Sequence, residues 1–163
     1  QSTAVSVLEM RNRCRRLAAE KPLDLILIDY LQLMESDGKD ESHQLAVASI
    51  SRYLKQLGRE MNCPVIVISQ LSRAVEKRTG DPRPMLSDLR DSGAIEQDAD
   101  VVIFIYRPDY YKAADEAKDN IAEIIVAKNR NGETGSVNLT WLPQFTRFAN
   151  IAREPIPGEG ASN

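Results

Sequence analysis

The sequence predicts an α/β domain built on a mostly parallel sheet, covered on both faces and finished by an antiparallel hairpin. Three observations predict it. Segments with helical apolar spacing alternate with short, nearly all-apolar runs, which is how strands buried on both faces read. The 163 residues suffice for one domain with a real core and are too few for two. Near the C-terminal end, two β-rich runs flank Asn131-Gly132, a strong signal for a tight hairpin turn.

The elements follow in order. Ser6 and Glu9 have capping-box spacing, and Val7, Met10, Cys14 and Leu17 recur at helical intervals, so a first helix runs to about Lys21, ahead of Pro22. Leu23 to Asp29 reads as a buried strand, and the acidic, glycine-containing stretch from Glu35 to Glu41 as a loop. A second helix carries the stripe Val47, Ile50, Leu54, Leu57 and Met61, and Asn62 with Pro64 stops it before a strand at Val65 to Ser69. From Gln70 to Arg90 no apolar period is sustained, Pro82 and Pro84 intervene, and five basic side chains stand against three acidic. Loops of this length inside compact domains are usually functional or disordered, which makes this one a binding-site candidate. Val101 to Tyr106 is another buried strand, Ile121 to Ala127 and Val137 to Trp141 form the hairpin, and Phe145 to Ala149 gives a short last strand. Five or six strands are expected, the first parallel and the last antiparallel. Residues 1–152 form the folded part, and 153–163, with Pro155, Pro157, Gly158 and Gly160, a disordered tail.

Composition narrows the function classes. A net charge of -3 and a pI near 5.3 argue against a broad basic surface that coats nucleic acid, so any such contact is local. Cys14 and Cys63 stand far apart in apolar contexts and His43 is the single histidine, which predicts reduced, buried, non-catalytic thiols and no metal cluster. No apolar run reaches the roughly 18 residues of a spanning helix and no signal-peptide pattern is present, so a cytoplasmic protein with no membrane association is expected.

Several residues could carry chemistry. Asp29 closes the run Leu25-Ile26-Leu27-Ile28, where an α/β ATPase places the carboxylate that holds Mg²⁺, although taken alone such an acid more often merely caps a following turn. The one Gly-Lys pair, Gly38-Lys39, is no phosphate loop, because Leu33 stands at the first glycine position and Asp40 at the Ser/Thr position. Gln70 ends the next strand, and ligands of open α/β sheets collect at carboxyl strand ends, so it would face the same crevice as Asp29. A glutamine there senses a γ-phosphate or is a solvated amide. Lys128 and Arg130 point to one side of extended chain. They grip an anion, in a neighbouring subunit's site rather than at this chain's Asp29, or they protect an edge strand. In the stretch from Asp88 to Asp98, Arg90 can pair with a phosphate and Gly93 lets backbones approach, while Asp91 and Glu96 favour a plain surface loop. Arg11, Arg13, Arg15 and Arg16 form a solvated or subunit-facing helix surface.

Four of these stretches, in this order, resemble the C-terminal motor domain of DnaB-type bacterial replicative helicases. They are Leu25 to Leu33, Ser69 to Arg73, Arg83 to Asp100 and Lys128 to Gly132, of which the third is the most specific. The resemblance implies a RecA-like three-layer fold and ATP hydrolysis, with Mg²⁺, at the interfaces of a hexameric ring that translocates on single-stranded DNA. It implies that Asp29 binds Mg²⁺, that Gln70 couples the γ-phosphate to the DNA loops, and that Lys128 and Arg130 reach the adjacent subunit's ATP. It places Arg90, Asp91 and Gly93, with Arg73, at the DNA, and it implies primase and a helicase loader as partners. The family's phosphate loop, its catalytic glutamate and its primase-interacting domain precede the matched region and are not among these residues. A partial motor domain, inactive alone, is therefore the leading expectation. A non-catalytic RecA-like interaction module is the alternative, and a recombinase or clock-type relative a third.

Overall fold

The computed structural model describes residues 5–35, 42–72, 74–113 and 115–151. Most of the expected loop at 35–41 and the expected tail at 153–163 lie outside them.

Strand β1 (Val5–Ser6) leads into helix α1 (Val7–Glu20), where the Ser6 hydroxyl accepts the Glu9 N–H at 3.1 Å and so caps the first turn. Strand β2 (Ile26–Ile28), a 3₁₀ turn at Leu31–Leu33 and strand β3 (Met34–Glu35) follow. Helix α2 (His43–Met61) has Ser42 as N-cap, and Asn62 ends it in a left-handed conformation with φ 51°, the backbone state that Asn tolerates and most residues avoid. The chain then turns into β4 (Val65–Val67). At that turn Gly58 allows helix and strand to meet, since a Cβ there would lie 3.1 Å from Val65 Cγ2 and 3.2 Å from the Cys63 carbonyl. A 3₁₀ segment, Leu86–Ser92, runs into the short helix α3 (Gly93–Asp98). Strands β5 (Val101–Tyr106), β6 (Ile121–Asn129), β7 (Gly135–Leu142) and β8 (Arg147–Asn150) complete the chain.

Pairing is parallel between β1 and β3 and between β2 and β4, and antiparallel through the four-stranded order β5-β6-β7-β8. The antiparallel part is thus larger than the expected hairpin. Among the described residues the parallel pairs form ladders of their own rather than one sheet continuous with β5. The expected count of five or six strands is low because 3₁₀ turns and short pairings leave no periodic trace in sequence.

The main core joins Val7 and Cys14 of α1, Ile26 of β2, and Val47, Ile50, Leu54 and Leu57 of α2. The stripe read from the sequence is therefore the buried face of α2, whereas Leu17 at the end of the α1 stripe is 57% exposed. A second cluster packs Val102 and Phe104 against Leu89. The sequence predicts strands covered on both faces, and among the described residues only one face is covered. Leu25, Leu27, Ile66, Ile68, Val101, Ile103 and Ile105 remain substantially exposed, with Leu27 at 62%. An all-apolar strand tells that a covering layer exists, not which residues provide it.

Candidate functional site

Asp29 follows β2 directly and is exposed, and the peptide joining it to Tyr30 is cis. The register Ile26↔Val65, Leu27↔Ile66 and Ile28↔Val67 brings the carboxyl ends of β2 and β4 together. Two further bonds extend this ladder beyond the strands, from the Ile68 N–H to the Ile28 carbonyl and from the Leu31 N–H to the Ile68 carbonyl, each 2.9 Å. Asp29 and the segment that begins at Ile68 are consequently neighbours at one sheet end. Gln32 makes the link. Its Nε2 donates to Ser69 Oγ at 3.2 Å and to the Gln70 carbonyl at 3.4 Å, and its Oε1 accepts the Gln70 N–H at 3.4 Å. The side chain of Gln70 is left exposed. Sequence reasoning missed Gln32, although an amide between Leu31 and Leu33 is a signal that a polar partner waits nearby.

Lys128 and Arg130 do act as a pair. Lys128 Nζ donates to the Glu96 and Gln97 carbonyls, and Arg130 Nη2 donates to the Gln97 carbonyl at 3.0 Å, so both cations sit on the C-terminal end of α3. The Arg130 N–H donates to the Asp100 carbonyl at 2.8 Å, and Arg130 Nε lies 3.6 Å from Asp100 Oδ1. Asp100 also pairs with Lys55 of α2. That hydrogen bond, with the positive field of Lys55, Arg130 and Lys128, holds the Asp100 carboxyl below the usual carboxylate range. The edge-protection reading fails, because β6 is an inner strand paired to both β5 and β7.

The stretch after Gln70 is tied down rather than loose. Arg78 pairs with the buried Asp88 and donates to the Arg83 carbonyl at 3.0 Å, while Arg83 pairs with the buried Glu123 of β6. Two of its five basic residues are thereby spent on its own structure. Asp88 also accepts the Met85 N–H at 2.8 Å and so starts the 3₁₀ segment that contains Arg90 and Asp91. The side chains of Arg90 and Asp91, and Arg73 altogether, lie outside the described part. Gly93 opens α3 with ordinary helical φ, and a Cβ there would meet nothing within 4 Å. Its value is open space beside the backbone rather than an unusual conformation.

The arginines of α1 have a structural use that neither expectation named. Arg11 and Arg15 both bind Glu60, the first at 2.8 Å, and clamp α1 to α2, while Arg13 pairs with Glu9. Both cysteines are free and buried, and burial pushes the Cys14 thiol pKa up, away from reactivity. Among the described residues no helix is long and apolar enough to cross a membrane, and no cluster of three or more His, Cys, Asp or Glu could hold a metal.

Comparison with known proteins places this geometry. The replicative DNA helicase DnaB of Geobacillus stearothermophilus is 52% identical over 151 residues, covering 92% of this chain and 33% of that protein. The replicative DNA helicase DnaC of Bacillus subtilis (strain 168) is 52% identical over 150 residues, covering 91% and 33%. The chain spans about a third of the length of these curated relatives. Among solved structures, a DnaB-like replicative helicase described with its interactions with primase matches at TM-score 0.82 and 43% identity, over 91% of this chain and 35% of that one. A second solved structure, described as an ATPase domain, matches at TM-score 0.83 and 43% identity, over 91% of this chain and 52% of that one. The fold is therefore RecA-like, in agreement with the expectation. With the model of the DnaB-like helicase C-terminal domain matching residues 1–150, the chain belongs to that family.

Proposed function

We propose that this chain is part of the ATP-driven motor of a replicative DNA helicase, which moves along single-stranded DNA in the cytoplasm as a ring of identical subunits, with six as the expected number. The observation that carries the reading is the parallel β2–β4 register, which brings the carboxyl ends of both strands, with Asp29 after one and the segment leading to Gln70 after the other, to one sheet end. Asp29 is an exposed hard-oxygen donor, and one such carboxylate suits Mg²⁺, which ordinarily takes one or two with substrate phosphates and water. Bound there, Mg²⁺ would neutralise charge on the ATP phosphates. Gln70, its backbone held by Gln32 and its side chain free, hydrogen-bonds the γ-phosphate and loses that bond on hydrolysis. Lys128 and Arg130, on the β6–β7 hairpin, supply positive charge to the adjacent subunit's γ-phosphate. Arg90, Asp91 and Gly93, with Arg73, hold the DNA backbone. Primase and a helicase loader are the proposed protein partners, the first supported by the solved relative described with primase.

The test is Arg130→Ala in the full-length protein. Removal of an arginine finger costs about 10³ to 10⁵ in turnover, so DNA-stimulated ATPase should fall at least a thousandfold. Activity within a few-fold of normal refutes the finger assignment.

A further inference from the structure

Arg130 sits near the tip of a hairpin, and a flexible guanidinium at such a tip delivers charge accurately only if something fixes its pose. Three contacts do so. The Arg130 N–H is tied to the Asp100 carbonyl at 2.8 Å, Nη2 to the Gln97 carbonyl at 3.0 Å, and Nε faces the Asp100 carboxylate at 3.6 Å. Asp100 is the only one of these partners that acts through its side chain. Its other oxygen is held by Lys55 of α2, whose side chain is partly buried. The carboxylate therefore sits between a cation on α2 and one on the hairpin. Asp100 and Arg130 are each half-exposed, so their ion pair adds little to stability. Orientation is the use left for it.

The geometry points to Asp100 as the positioning residue for Arg130, anchored by Lys55 and joined to the same α3 end that receives Lys128. This rests on the proposed trans role of Arg130. It adds that α3, which opens at Gly93 beside the proposed DNA-binding segment, carries the shared seat of both cations at its other end. A shift of that seat moves the cations with it.

The experiment uses the full-length protein with Asp100→Asn, Arg130→Ala and the double variant, measuring DNA-stimulated ATPase with kcat and KM separated, and subunit assembly by sedimentation. Misplacing a catalytic group by about 1 Å costs on the order of 100-fold, so Asp100→Asn should lower kcat by about 10- to 100-fold at unchanged KM for ATP and unchanged assembly. Lys55→Met, which frees the carboxylate, should lower kcat in the same direction. In the Arg130→Ala background, Asp100→Asn should add no further loss, because the group it positions is gone. A kcat for Asp100→Asn within twofold of wild type, or losses that multiply in the double variant, overturns the assignment. Failure of Arg130→Ala to reduce turnover would instead bring down the finger reading itself, so the two are told apart.

Discussion

Asp109 offers the sharpest test of the packing. It sits in the 3₁₀ turn Pro108–Tyr110 that leaves β5, is 8% exposed, and accepts the Asn120 N–H at 2.6 Å and the Asp119 N–H at 3.2 Å, immediately before β6 begins. Lys112 reaches it at 2.9 Å. The carboxylate thereby closes the whole β5–β6 connection. Hydrogen bonds to a charged acceptor are worth about 1.5–3 kcal/mol each, which gives about 3–6 kcal/mol for the two backbone bonds. Asp119 is exposed, so water recovers much of the weaker bond, and Asp109→Ala should cost about 2–3 kcal/mol of local stability. At 1.4 kcal/mol per decade this is roughly 30- to 150-fold faster amide exchange at Asn120, read by hydrogen–deuterium exchange on the full-length protein. Asp109→Asn keeps an acceptor and should show about half the energy. The Lys112 hydrogen bond, then those of the Asn120 and Asp119 N–H groups, hold the Asp109 carboxyl below its ordinary value against the opposing effect of burial. The folded state thus keeps the charge where an unfolded aspartate has begun to protonate. The contribution is complete above about pH 4 and drains away as the pH falls through the lower, folded-state value. Unchanged Asn120 exchange in Asp109→Ala, after correction for intrinsic rates, refutes the clamp.

Two other perturbations have defined outcomes. Leu57 is 1% exposed in the centre of the main core, so Leu57→Ala should cost about 2–5 kcal/mol and accelerate exchange along α2, whereas a change below about 1 kcal/mol would mean the core collapses to fill the gap. Arg90→Ala in the full-length protein should weaken single-strand binding for every sequence and reduce the salt slope by about one, and an unchanged slope would remove Arg90 from the DNA contacts.

What was legible in the sequence was whatever local periodicity and turn chemistry encode. The stripe Val47, Ile50, Leu54 and Leu57, the stop at Asn62, the Ser6 cap and the β6–β7 hairpin each declare themselves within one helical turn or one hairpin, although the hairpin register centres the turn on Arg130-Asn131 rather than Asn131-Gly132. The meeting of the carboxyl ends of β2 and β4 was legible because parallel strands deliver those ends to one edge. The partners that hold the candidate site were not. Lys55 meets Asp100 and Arg15 meets Glu60 across 45 residues in each case, and Gln32 meets Ser69 across 37. A single sequence carries no signal for such distant pairings. The basic run after Gln70 misled in a related way. Arg78 and Arg83 look like free cations in a list of residues, but each has an acidic partner, Asp88 and Glu123, that folding buries.

The uncovered sheet face bears on how this protein behaves in solution. Leu25, Leu27, Ile66, Ile68, Ile103 and Ile105 display aliphatic surface together on neighbouring strands. Such side chains displayed together on strands favour association, so the protein in this form should self-associate as its concentration rises, which sedimentation would read.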